Sequence, residues 1–171
     1  MTEENNRENE KSLLTVINEN KPGMLSKITG YCGQNGINIE KLVISAFKSD
    51  DSLHKIIMYV SGNRNRINGL VDGFLSIDGV VSASNFMSSL YLERELMLIK
   101  VNSNDVKIPE ITEIIGQFQG KTILMNRDVT IFQINDKTDI VDEITREIEK
   151  LEIENIEISK SGVLATSLSR I

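Results

Sequence analysis

The 171-residue chain contains one cysteine (Cys32), one histidine (His54), two prolines and no tryptophan, and aromatic residues make up 5% of it. Each shortage removes a class of protein. A lone cysteine cannot build an internal disulfide framework and fits a reducing, cytoplasmic compartment. No second imidazole or thiol accompanies His54, so a zinc-type ligand set is missing. Few aromatics and a net charge of −6 argue against the stacking platform and basic surface of a nucleic-acid binder. No apolar run approaches the roughly 20 residues of a membrane span. The opening MTEENNRENEK lacks the apolar core of a signal peptide, and residues 1–11 read as a mobile acidic tail.

What is present is an alternation of short strands and helices. Ser12 to Asn18 is short, apolar and β-branched, as a buried strand is. Pro22-Gly23 breaks it, and Gly23 to Asn35 reads as a helix with Leu25, Ile28 and Cys32 on one face and Gly36 as its cap. Strands follow at Ile37 to Phe47 and Leu53 to Val60. A helical stripe at Ile67, Leu70, Val71, Phe74 and Leu75 leads through Gly79 to a strand at Val80 to Phe86. The order is βαββαβ, and it repeats. Arg94 to Asn102 is a strand, and Ile111, Ile114, Ile115 and Phe118 mark a helix. Lys121 to Leu124 and Asp128 to Ile134 are strands, and Ile140, Val141, Ile144, Ile148 and Leu151 mark the last helix. The segments IENIEIS and SGVLATSL supply one closing strand or two.

The expected class is therefore α+β, with two ferredoxin-like βαββαβ domains at residues 12–87 and 94–171. A linker at residues 88–93 joins them, and Glu93, Arg94 and Glu95 read as a solvated junction. Domains near this size are marginal alone and favour a dimer.

The search for catalytic groups returns none. His54 reads as a surface residue and Cys32 as a small core residue. Asp142, Glu143, Glu147 and Glu149 form a solvated helix face, and Asp50-Asp51 has no third ligand to make a metal site. Gly30, Gly33 and Gly36 lie within and after a helix rather than in a strand-to-helix turn, so a phosphate-cradling role fails. Two mid-helix glycines, each costing roughly 1 kcal/mol against alanine, indicate either close backbone approach, as in dimer packing, or simple tolerance.

The turn ENKPGML has different chemistry. It leads into a helix whose first N–H groups have no internal partners, and these suit a carboxylate. Asn20 before the turn and Asn38 at the next strand each offer donor and acceptor atoms, a set able to hold both ends of a zwitterion. Met24, Leu25 or Ile39 would face its side chain. The plainer reading has Asn20 capping the turn and Asn38 following Gly36 as loop chemistry.

The stretch LTVINENKPGMLSKITGYCGQNGINIEKLVIS resembles the ACT domain, a ligand-sensing module of amino-acid metabolism. Taken with LERELMLIKV and, more loosely, the terminal SGVLATSLSR, the chain resembles the regulatory small subunit of acetolactate synthase (acetohydroxyacid synthase). The resemblance implies a subunit that is not itself an enzyme and has no cofactor of its own. It implies that the chain binds and activates a catalytic large subunit carrying thiamine diphosphate, magnesium and FAD, and confers feedback inhibition by valine in branched-chain amino acid biosynthesis. It also implies a homodimer through the ACT domains, with the effector at that interface. Carried over, the effector site falls on Asn20, Gly23, Met24, Leu25, Asn38 and Ile39. The chain departs from the family pattern beside this site, at Lys41, Val43 and Ser45-Ala46-Phe47, and its 48–52 loop lacks the family's proline. The alternative is an ACT-type amino-acid sensor that regulates a different enzyme.

Overall fold

A computed structural model describes residues 9–88 and 90–168. The first half runs β1 (Asn9–Glu19), α1 (Met24–Gln34), β2 (Asn38–Ala46), β3 (Leu53–Asn63), α2 (Arg64–Leu75) and β4 (Val80–Asn85). After a short 3-10 turn at Phe86–Ser88 come β5 (Tyr91–Asn102), α3 (Ile108–Gln117), β6 (Lys121–Met125), β7 (Val129–Asp136), α4 (Thr138–Glu149) and β8 (Ile156–Ser167). Two four-stranded sheets result, in the orders β2-β3-β1-β4 and β6-β7-β5-β8. These are the two expected ferredoxin-like units. The chain divides into two compact units after Leu92, with Ala165 onward returning to the first. Most of the expected tail lies outside the described residues, and Asn9 to Lys11 are already in β1.

In the first unit, alternate residues of the central strands turn towards the helices. Leu14 and Val16 of β1 and Ile56, Met58 and Val60 of β3 pack against Met24, Ile28 and Cys32 of α1 and Ile67, Leu70 and Phe74 of α2. Met24, Ile28 and Cys32 stand four residues apart and so form one row along a helix. Leu25, expected on this face, is 42% exposed, and Leu75 of α2 is 49% exposed. Each follows a row residue by one position, a rotation of roughly 100° that carries it off the buried face. Gly36, at φ 64, follows the C-cap Asn35. Its N–H donates to Gly33 O, and that of Ile37 donates to Cys32 O, the paired bonds of a Schellman ending.

The two mid-helix glycines of α1 are not sites of close approach within the protomer, since a Cβ at Gly30 or Gly33 would meet nothing within 4 Å. Gly73 of α2 is the close contact, because the Tyr31 ring of α1 occupies the space where its side chain would stand.

The second unit repeats the plan with Met97, Ile99 and Val101 of β5, Phe132 and Ile134 of β7, and a row of Val141, Ile144 and Ile148 on α4. Ile114, Phe118, Ile140 and Leu151 border this core. One 12-residue strand, β8, closes the sheet. Of the expected solvated junction only Arg94 is exposed, because Glu93 and Glu95 are 8% and 1% exposed within β5. Their positions continue the every-second-residue series of the core residues Met97 and Ile99, so the strand period carries them to the inner face. Glu93 has a specific role there: its Oε1 accepts the N–H of Thr138, the first residue of α4.

Candidate functional site

The turn from β1 to α1 is held by main-chain bonds. Glu19 N–H donates to Gly79 O at 2.8 Å, Asn20 N–H to Ser52 O at 3.0 Å, and Met24 N–H to Lys21 O at 3.3 Å. Gly23 is the N-cap at φ 85, a conformation that glycine adopts without steric cost. Having no side chain, it leaves the amide end of α1 uncapped. Among the described residues, no acceptor meets the N–H groups of Leu25 and Ser26, and no acidic residue lies in the first turn. The other three helices differ. Asn63 Oδ1 accepts Asn65 N–H at the start of α2. Glu110 lies in the first turn of α3, and Asp139 Oδ1 accepts Ile140 N–H in α4. Among the described helix starts, that of α1 has neither a side-chain cap nor an acidic residue in its first turn, whereas α2 has the cap without the acid.

Asn20 is exposed, and its Nδ2 donates to Asp51 O at 3.0 Å. That bond braces the loop and leaves Oδ1 as an acceptor beside the helix start. Lys21 pairs with Glu19 at 2.6 Å, and this hydrogen bond, with the charge behind it, raises the Lys21 pKa. The Lys21 charge is thus met by Glu19, and what the turn leaves open are the amides at the start of α1, which suit a carboxylate.

The remaining residues are distributed differently from the expected cluster. Met24 is 4% exposed and belongs to the core, Leu25 is exposed, and Ile39 is half-buried against that core. Asn38 is exposed at the first position of β2. It stands opposite Ser61 of β3, whereas Ala46, at the other end of β2, stands opposite His54, which in turn faces Asn18. Asn20 and Asn38 therefore lie at opposite ends of the sheet, separated by the length of the 9-residue β2, roughly 27 Å at the usual rise. One protomer does not bring them together.

Asn18 is a feature of this region that sequence reasoning missed. It is 2% exposed, its Nδ2 donates to Glu19 O, and its Oδ1 has no partner among the described residues. An asparagine within an apolar strand was the available signal. His54 is half-buried in β3. Cys32 is fully buried, which pushes its thiol up to about 11 and makes it inert. Asp50 Oδ1 accepts Ser52 N–H, so it shapes its own loop.

Residues 12–72 match the family model of the ACT domain, so the βαββαβ unit with the open helix start is an ACT domain. Residues 94–169 match the family model of the small subunit of acetolactate synthase. The chain belongs to the acetolactate synthase small-subunit family. The acetolactate synthase small subunit of Buchnera aphidicola (subsp. Schizaphis graminum) is 28% identical over 152 residues, 89% of this chain and 95% of the relative. The isozyme 3 small subunit of Escherichia coli K12 is 25% identical over 158 residues, 91% of this chain and 94% of the relative. The crystal structure of the small subunit from Thermotoga maritima has the same fold, with a TM-score of 0.76 at 23% identity, covering 95% of this chain and 99% of that one.

Proposed function

We propose that this chain is the regulatory subunit of an acetolactate synthase. It binds and activates the thiamine diphosphate-dependent large subunit, whose magnesium and FAD are likewise the large subunit's own, and makes it subject to feedback inhibition by valine. The observation that carries the effector half of this reading is the uncapped amide end of α1, in the turn that also holds Asn20.

The distance between Asn20 and Asn38 supports a dimeric site rather than opposing the reading. Among the described residues β2 is the outer strand of its sheet, and an outer strand presents an edge of the kind that accepts another strand. Antiparallel pairing with β2 of a second copy would set Asn38 of one protomer against the Ala46 end of the other, the end that borders the Asn20 turn. Valine would then place its carboxylate on the α1 amides, its ammonium on Asn20 Oδ1, and a second set of contacts on Asn38 across the interface. Leu25, at the surface of the first turn, and Ile39, beside Asn38, supply apolar contact for the isopropyl group. A ligand that touches both protomers favours one arrangement of the dimer. That differential affinity is what allows it to shift a bound catalytic partner.

Calorimetric titration of valine into the purified chain, with leucine and isoleucine in parallel, tests this. Saturable binding between roughly 1 μM and 1 mM is expected, and Asn38→Ala is expected to weaken it at least tenfold while leaving the dimer intact. Unchanged valine affinity in a dimeric Asn38→Ala protein overturns the assignment of Asn38. Activation of the large subunit without any valine response would fit Lys41 and Val43, which replace the family's pattern on β2 and share a sheet face with Tyr59 and Ile57. The catalytic half of the reading would then stand and the effector half would fall.

A further inference from the structure

We propose that the second unit holds its own ligand site, a cleft for a small amino dicarboxylate of the glutamate or aspartate type. The cleft, about 520 Å³, lies within this one unit and is bordered by the end of α3, the start of β6, the end of β7, and residues of β5 and α4. That volume falls in the range of small-molecule sites, roughly 300–1,000 Å³.

Its lining carries charge of both signs. Arg94 and Lys121 bring two cations, and neither forms an ion pair among the described residues. Arg94 Nη1 donates to Glu93 O at 2.7 Å, which leaves the other guanidinium donors available. Asp136 brings one carboxylate. Its Oδ1 accepts Lys137 N–H, and its second oxygen remains for a cation. The net charge of the lining is +1, matching a ligand with two carboxylates and one ammonium.

The spacing of the cations points the same way. Lys121 stands opposite Gln133, and Gln133 stands opposite Leu98 of β5. Arg94 is four residues further along that strand, roughly 13 Å at the usual rise. Two cations so separated at their backbones match two carboxylates better than one. Gln117, Gln119, Gln133 and Asn135 add carboxamides able to donate or accept. Gln119 holds φ 57, the conformation that Gly36 takes after α1, so a polar side chain is retained where glycine would be the easier residue. A second cleft of this unit, about 380 Å³, offers no such balance. Its cation Lys100 is already paired with Glu157 at 3.0 Å, and Glu154 and Asp128 add further negative charge.

The test is an amide-resolved NMR titration of the full chain with L-glutamate, with L-glutamine and 2-oxoglutarate in parallel. Saturating shifts are expected at residues 117–121 and 133–136, with a dissociation constant below about 10 mM. Glutamine, lacking the second carboxylate, and 2-oxoglutarate, lacking the ammonium, should each bind more weakly. Arg94→Gln and Lys121→Gln should each weaken glutamate at least about tenfold. Both side chains are exposed, so thermal midpoints should hold. Excess valine should leave these shifts in place, which separates this site from that proposed in the first unit. Absence of saturation, shifts confined to residues 19–26, displacement by valine, or unchanged affinity in both variants each overturns the proposal.

Discussion

The two units share a strand order, yet they enter their first helices with different chemistry. Between β5 and α3 the loop is filled by its own side chains. Asn102 Oδ1 accepts Asn104 N–H, Asp105 Oδ1 accepts Lys107 N–H, and the Ser103 and Thr130 hydroxyls meet at 2.9 Å. Pro109 removes one of the first-turn donors, and Glu110 supplies negative charge there, paired with Lys107 at 3.3 Å. Between β1 and α1 the loop has a glycine cap and no acidic residue in the first turn. One fold thus yields a closed helix start and an open one. What the helix start can bind is decided by five or six loop residues and not by the architecture that carries them.

The largest test removes the centre of each core. Phe74 and Phe132 are 0% and 1% exposed, and truncating either to alanine is expected to cost about 3–5 kcal/mol. The losses should be local to their own clusters. Amide exchange should show Phe74→Ala stripping protection from α1 and α2, and Phe132→Ala from α3 and α4. Equal loss of protection in all four helices after one truncation would break the comparison.

The next effect is chemical and belongs to the first unit alone, because the chain's one cysteine is there. Burial raises the Cys32 thiol to about 11, whereas an unfolded chain returns it to about 8.5. Between these values the unfolded chain has released a proton that the folded chain keeps. The contribution of this thiol to stability is therefore undiminished below about pH 8.5 and falls as pH rises towards 11, by about 3 kcal/mol in all. Urea titrations across that range should show the slope, and Cys32→Ala should remove it.

The fold was legible because each unit states its periods plainly. Leu14 and Val16 alternate as a strand must, and Met24, Ile28 and Cys32 repeat as a helix row must. Leu25 and Leu75 were misread because neighbouring apolar residues at helix ends widen a stripe without being buried. Glu93 and Glu95 were misread because charge suggested a linker, while their strand parity with Met97 and Ile99 decided their burial. The open helix start was legible too, since Gly23 and the lack of acidic residues can be seen in the letters. The separation of Asn20 from Asn38 was not, because it depends on strand register. The cleft of the second unit draws on five elements distant in sequence, and no short motif announces it.

A smaller substitution decides what the glycines of α1 are for. A methyl at Gly30 would touch nothing in the protomer, so Gly30→Ala should raise the stability of the first unit by up to about 1 kcal/mol. Read by urea midpoint together with sedimentation, that gain with an unchanged oligomer means tolerance. Loss of the dimer would mean that α1 is approached closely by a second copy.

The finest test converts one helix start into the other. Ser26 is the third residue of α1, exposed, at the position that Glu110 occupies in α3. In Ser26→Glu, the new carboxylate lies against the positive end of the helix and should stabilise the first unit by about 0.3–1 kcal/mol. It also occupies the electrostatic position proposed for the effector's carboxylate, so valine affinity should fall about tenfold even as the melting temperature rises. These two changes have opposite sign, which general damage to the unit cannot produce. A rise in stability with valine binding intact would show that the amide end of α1 is not where the carboxylate rests. The open start would then be a local deficit in capping and not the source of recognition.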